Sequence, residues 1–253
     1  MSWIGLKTIV FRECGVIARY WGFTLAPPVI TTILYFTIFG EIFGKQIGSF
    51  GGIDYARYMA PGLIVLWVIP YSFGHTASGL VGARFFKFIE EMLVSPLPGW
   101  VVMSGYVLGG IARGFLVGMA VALTTLFFTH LGVHSIGVSF AALFLTAAVS
   151  SLGGFITALF ARSFEHVVTI QILILTPLTY LGGVFTSVSM LPDWARGLCL
   201  ANPMFHLVNI FRYGVLGVSD VPVGMAFLAI TAAGAVLFLA ATKLMARGTG
   251  FRE

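Results

Sequence analysis

Charge is what this sequence has least of. Only 9% of its 253 residues are Asp, Glu, Lys or Arg, against about 25% in an ordinary soluble domain. Hydrophobic residues make up 58%, and the mean hydropathy is +1.00. A chain this short of charge cannot cover a globular surface in water, so it is read as an integral membrane protein. Cysteine is scarce as well: Cys14 and Cys199 are the only two, which excludes a Cys-only zinc site. There is no G-x-x-x-x-G-K-[ST] loop to cradle a nucleotide phosphate and no H-E-x-x-H zinc motif. Nor does one half convincingly repeat the other, as the halves of many ion-coupled carriers do. His75, near Ser72 and Ser78, comes nearest to a nucleophile with its base, and it reads as an ordinary hydrogen-bonded helix histidine. His130 and His134 stand four apart without a nearby acid or thiolate, so no metal site is expected. The net charge of +5 is scattered over the ends of apolar runs, with no basic stripe for nucleic acid.

What the sequence does have is apolar runs. Six are long enough to span a bilayer, at roughly 23–43, 60–82, 101–129, 136–161, 167–187 and 222–244. An even number returns both termini to one side. With that side inside, the interior holds Lys7, Arg12, Arg19, Arg84, Lys87, Arg162, Lys243, Arg247 and Arg252, and the exterior only Lys45, Arg57, Arg196 and Arg212. That asymmetry obeys the positive-inside rule and makes both termini cytoplasmic. Lys7, Arg12, Glu13 and Arg19 interrupt the first 22 residues, so these predict an amphipathic surface helix and no cleaved signal peptide. Ser187 to Val221 carries Pro192, Trp194 and Asn202-Pro203 among many apolar residues. Such an external segment predicts short helices dipping back toward the membrane.

All nine acids, Glu13, Glu41, Asp54, Glu90, Glu91, Glu165, Asp193, Asp220 and Glu253, fall in or near non-spanning segments. Ion-coupled transport therefore has little to work with. Arg113 alone puts charge inside a span. Two readings stand: it faces the interior, pairing with carbonyls or attracting an anionic substrate group, or it is held for packing and snorkels. In the fifth span Pro177 removes a helix hydrogen bond that Thr176 and Thr179 can compensate. Thr176, Tyr180 and Phe185 then either line a path for an amphiphile or belong to a kinked core helix. Gly105, Gly109, Gly110, Gly114 and Gly118 in span three form small-residue ridges for close helix packing.

The run "LTPLTYLGGVFTSVSMLPDWARGLCLANPMFHLVNIFRYGVLG" (175–217) resembles the signature region of ABC-2 type permeases, the membrane subunits of ATP-driven exporters. "MAPGLIVLWVI" in span two and "EEMLVSPLPGWVVMSGYVLGGIARG" after it resemble the same bacterial family. The resemblance implies one all-α transmembrane domain over 1–253, with six transmembrane helices. It also implies an amphipathic surface helix at 1–22, a cytoplasmic coupling helix at 84–100 and re-entrant helices at 188–221. Phe85, Phe86, Ile89, Glu90, Glu91, Leu93 and Pro96 then belong to the element that docks on the ATPase. The chain itself would be no enzyme and would bind no cofactor or metal, with ATP and Mg²⁺ on two copies of a partner ATPase. A second, identical permease subunit and the lipid of a bacterial inner membrane complete the implied partners. The implied cargo is a lipid, a lipid-linked glycan or a hydrophobic drug, moved by alternating access. A non-transport ABC assembly or signalling module, or a passive channel, is the other reading.

Overall fold

Lipid offers backbone N–H and C=O groups no partners, so apolar runs in a membrane close their own hydrogen bonds as helices. A computed structural model of the protein describes residues 2–43, 49–50, 52–88, 97–129, 132–188 and 192–248. Helix α1 (Ser2–Arg19) leads into α2 (Trp21–Tyr35), which a π-helical turn (Phe36–Phe43) prolongs. Two two-residue strands, β1 (Ser49–Phe50) and β2 (Ile53–Asp54), form an antiparallel hairpin. The long helices α3 (Tyr55–Phe85), α4 (Gly99–Phe128) and α5 (Ile136–Phe160) follow. A broken run of α6 (Phe164–Ile170), a π segment (Gln171–Leu175) and α7 (Thr176–Tyr180) precedes α8 (Asp193–Ala201), α9 (Pro203–Leu216) and α10 (Val223–Ala246).

Among the described residues five helices are long and apolar enough to cross a bilayer: Trp21–Gly40, α3, α4, α5 and α10. The sixth expected span is the shorter apolar run Phe164–Tyr180. At about 1.5 Å per residue it reaches about 26 Å, less than the roughly 30 Å hydrocarbon core. It stops at Tyr180, not at 187, because the chain turns there and Gly183 takes a φ of 72°, a backbone state that favours glycine. Thr176 Oγ1 donates to the Gln171 carbonyl (3.0 Å) and Thr179 Oγ1 to that of Leu175 (2.7 Å). These hydroxyls satisfy carbonyls that the π segment and Pro177 disturb.

Helix α3 is the axis of the bundle, buried along most of its length against α4, α5 and α9. Helix α4 presents two ridges of glycine. One, Gly110 and Gly114, faces Ser72 and Thr76 of α3, with Ser151 and Ala147 of α5 behind. The other, Gly105 and Gly109, faces α1: a Cβ at Gly105 would stand 2.5 Å from Ile9 Cγ2, and one at Gly109 2.6 Å from Glu13 Cβ. Small residues four apart let helices close where no hydrophobic force acts between them. Outward, Phe23, Phe127, Leu228 and Leu239 are exposed apolar side chains, as a lipid-facing surface requires.

Gly5 of α1 lies against Leu97, and Gly99 against Met245 near the end of α10, so the first turns of α1 and the last turn of α10 gather at one end of the bundle. There Arg84, at the end of α3, donates to the carbonyls of Ala158 and Ala161 at the C-terminus of α5, each at 2.5 Å. A cation is favoured at that negative pole of a helix. At the other end α9 is capped by Asn202, whose Oδ1 accepts from the Met204 N–H at 3.0 Å, and is closed by Gly217 at φ 75°. Ten of its residues, including Phe205, Ile210 and Arg212, are buried.

Candidate functional site

The face of α1 that packs on α4 carries Ile9, Glu13 and Ile17, spaced four apart and all buried. Glu13 is 3% exposed, and the glycine ridge of α4 is what lets it in. Its Oε1 lies 2.6 Å from Arg12 Nη2 and its Oε2 lies 3.0 Å from His75 Nε2. Arg12 also donates to the Tyr106 hydroxyl at 2.7 Å, with its guanidinium 5.2 Å from that ring. Burial pushes the Glu13 carboxyl up, but His75 and Arg12 more than offset this and hold it below the ordinary carboxylate range. Burial likewise pulls Arg12 down, and its bonds to Glu13 and Tyr106 reverse that, leaving it above the ordinary arginine value. Glu13 is therefore a carboxylate in the folded protein.

His75 passes this polarity inward. Its Nδ1 lies 3.3 Å from Arg113 Nη1, and arginine has only donors, so Nδ1 accepts. In the neutral ring the proton then sits on Nε2, the nitrogen 3.0 Å from Glu13 Oε2. Arg113 donates in addition to Thr24 Oγ1 on α2 at 3.0 Å and stands 5.5 Å from the Tyr71 ring. A continuous polar chain, Arg113–His75–Glu13–Arg12–Tyr106, thus ties α1 and α2 to α3 and α4.

All of this chain but Tyr106 forms one wall of a cavity of about 720 Å³. Tyr71, Gly74 and Ser78 of α3 continue the wall, and Phe86, Phe88 and Phe164 stand around it. A smaller cavity of about 200 Å³ is lined by Leu66, Trp67, Leu175, Thr176, Thr179 and Tyr180. Pro70 and Gln171 border both. Both cavities mix polar and apolar lining: Phe86, Phe88 and Phe164 accompany the charged groups of the larger, and Thr176, Thr179 and Gln171 accompany Trp67 and Leu175 in the smaller.

The family profile described as ABC-2 type transporter matches residues 5–216. The chain belongs to the ABC-2 type transporter family. It is 42% identical over 253 residues to the inner membrane transport permease YadH of Escherichia coli (strain K12), covering 100% of this chain and 99% of that one. It is 24% identical over 194 residues to nodulation protein J of Neorhizobium galegae, covering 76% and 72%. With nodulation protein J of Rhizobium leguminosarum bv. viciae it shares 25% over 227 residues, covering 88% and 85%. As an ABC-2 permease it is a membrane subunit of an ABC transporter, a family membership that implies an ABC ATPase on a separate chain.

On this ABC-2 fold the residues singled out from sequence separate into three groups. Arg113 lines the larger cavity, and Thr176 and Tyr180 line the smaller one. Phe185 stands beside them in an aromatic group, with its ring 5.7 Å from Tyr35, 5.5 Å from Phe39 and 5.9 Å from Tyr180. The Tyr35 and Tyr180 hydroxyls meet at 2.9 Å. Pro177 is exposed and lines neither cavity. Phe85 ends α3 and Phe86 sits in the turn after it, which Lys87 closes with a φ of 60°. Ile89, Glu90, Glu91, Leu93 and Pro96, and also His130, lie outside the described residues. His134 packs edge-on against Tyr213 at 5.5 Å, and among the described residues no cluster of three metal-ligating side chains occurs.

Glu13 and the central place of His75 escaped the sequence reading. Glu13 sat in a segment read as an amphipathic surface helix, and His75 was read as an ordinary hydrogen-bonded helix histidine with no partner carboxylate named on another helix. A signal was present: Glu13 falls between Ile9 and Ile17 on one stripe, where a solvated acid has no place.

Proposed function

We propose that this chain is the membrane half of an ATP-driven exporter that moves an amphiphile across the inner membrane of a bacterium, with both termini in the cytoplasm. Two copies of the chain would work with two ATPase subunits, which bind ATP and Mg²⁺. The segment 84–100 would dock on the ATPase through Phe85, Phe86, Ile89, Glu90, Glu91, Leu93 and Pro96, and its motion would swing α3 to alternate access between the two sides.

The observation that carries this reading is a pair of adjoining cavities in which charged and polar groups stand among aromatic and aliphatic ones. Arg113 and His75 stand with Phe86, Phe88 and Phe164 on the larger cavity, Thr176 and Tyr180 with Trp67 and Leu175 on the smaller, and the two share Pro70 and Gln171. A headgroup and an acyl or ring system make the complementary solute, because charged, hydroxyl and aromatic partners all line the space it would fill. Pro70 lies within the continuous helix α3 on the wall of the smaller cavity, and Pro177 lies in the first turn of α7; prolines are places where a membrane helix bends. The prediction is tested by reconstituting the chain with its ATPase in liposomes and following fluorescent amphiphiles. ATP-dependent transfer between leaflets, with hydrolysis stimulated by the cargo, is expected. Conductance by the chain alone would identify a channel instead, and ATP hydrolysis indifferent to every amphiphile, without transfer, would identify an assembly module.

A further inference from the structure

Arg12, Glu13, His75 and Arg113 are the charged or titratable side chains of other than tyrosine type on the wall of the larger cavity. Glu13 is the one carboxylate, and it is already engaged by Arg12 at 2.6 Å and His75 at 3.0 Å. Arg113 has no acid within ion-pair distance among the described residues; its partners are the His75 Nδ1, the Thr24 hydroxyl and the Tyr71 ring. A guanidinium inside a span, beside a hollow of about 720 Å³ and without a counter-ion, is a cation waiting for an anion. Its planar fork suits an oxyanion that accepts two bonds at once.

The neighbours define what else such an anion meets. His75 stands between the two, its Nδ1 3.3 Å from Arg113 and its Nε2 3.0 Å from Glu13, so an anion arriving at Arg113 enters the same polar chain that holds Glu13. Glu13 stands on α1, which packs on the bundle through the Gly105 and Gly109 ridge. Competition at His75 and Arg12 would therefore be felt as a loosening of α1.

We propose that Arg113 binds the phosphate-type headgroup of an amphiphile in the larger cavity, and that Glu13 is the internal anion against which that headgroup competes. This rests on the amphiphile reading of the hollow and names the polar half of the ligand. Glu13 sets the threshold: an uncharged or zwitterionic headgroup gains too little from Arg113 to displace it, and a net anionic one gains enough.

The test needs no ATPase. The full chain in phosphatidylcholine nanodiscs is titrated with dihexanoyl phosphatidic acid, with dihexanoylglycerol as the uncharged counterpart, and with inorganic phosphate. Phosphatidic acid is expected to bind, the glycerol compound not to bind, and inorganic phosphate to bind more weakly for want of the acyl chains. Arg113→Gln is expected to weaken phosphatidic acid about tenfold or more, the scale of one charge-assisted contact, with Arg113→Lys in between. Glu13→Gln is expected to tighten it several-fold, an effect that a merely damaged protein would not produce. Equal binding of the uncharged compound, wild-type affinity in Arg113→Gln, or weaker binding in Glu13→Gln each overturns the proposal. Phosphate as tight as phosphatidic acid would assign the site to the free ion and overturn the headgroup. Binding that obeys these rules without any ATP-driven transfer would leave the anion site standing and remove the exporter. Transfer of uncharged cargo without anion binding would do the reverse.

Discussion

Arg113 and Arg212 are both drawn into the helix bundle, and they are held in opposite ways. Arg212, on α9, is 1% exposed and has a carboxylate, Asp220 Oδ2, at 3.5 Å. It also donates to the Gly183 carbonyl at 2.5 Å and lies 4.1 Å over the Tyr58 ring. Asp220 is fixed in turn: it accepts from the Ser187 hydroxyl at 2.6 Å, and its N–H donates to Asn209 Oδ1 at 2.7 Å. Arg113 is only half-buried, leans on His75 and the Thr24 hydroxyl and borders a cavity. Both leave Nε buried without a hydrogen-bond partner, and Arg212 Nη1 meets Asp220 as an ion pair without a hydrogen bond; the acid and the empty space separate the two arginines. Arg212 is charge-balanced and walled in by the turns at 181–188 and 217–222, which fits a residue that holds α9 to α3. Arg113 is unbalanced and open, which fits a residue that meets a ligand.

The largest effect should come from unbalancing the balanced one. Asp220→Ala strands a buried guanidinium, and removing one member of a buried pair costs about 3–5 kcal/mol. The expected result is a large loss of folded protein, read as a drop in the detergent-solubilised melting temperature. Arg113→Gln removes a charge that has no counter-ion and should move that melting temperature little in either direction. Similar losses from both substitutions would erase the contrast and return Arg113 to a packing role.

A second, smaller effect separates the two ends of the bundle. Gly109→Ala puts a methyl group 2.6 Å from Glu13 Cβ and 3.2 Å from His75 Nε2. Overpacking of this sort costs about 1–3 kcal/mol, and the cheapest relief is for α1 to move away. Disulfide or spin-label distances between α1 and α4 should lengthen while those around α9 stay as they were. Gly15, with nothing within 4 Å of its added Cβ, is the control position, and Gly15→Ala should be silent.

The same contrast shows what could be read from sequence. Spans two, three, four and six emerged within a few residues of α3, α4, α5 and α10, because a long apolar run in lipid has only the helix available. The fifth fell short because its end depends on a π turn and on Gly183 in a left-handed state, and hydropathy continues smoothly through both. Arg113 was conspicuous as a lone charge in a span, and Thr176 and Tyr180 as polar groups on a proline-broken helix. Glu13 and Arg212 were not, since each lies in a segment with other charges around it. Their roles come from pairings between distant stretches, Glu13 with His75 and Arg212 with Asp220 and Tyr58, and packing alone decides those.

The smallest expected effect follows from the carboxylate of α1. The folded pKa of Glu13 lies below its unfolded value, which is about 4.3 for a free glutamate. An acid depressed by folding binds more protons in the unfolded state, so its contribution is complete above that unfolded value and drains away as pH falls through the folded one. Melting temperature measured from neutral pH downward should therefore decline below about pH 4, partly through Glu13. In Glu13→Gln that part is missing: the variant starts lower at neutral pH, and the gap to wild type narrows on acidification. Asp220, paired at the other end of the bundle, remains in both proteins, so the difference between the two curves isolates the docking of α1. A gap that stays constant with pH would mean that Glu13 holds α1 by its shape and not by its charge, and the competition between Glu13 and an incoming anion would then have no electrostatic basis.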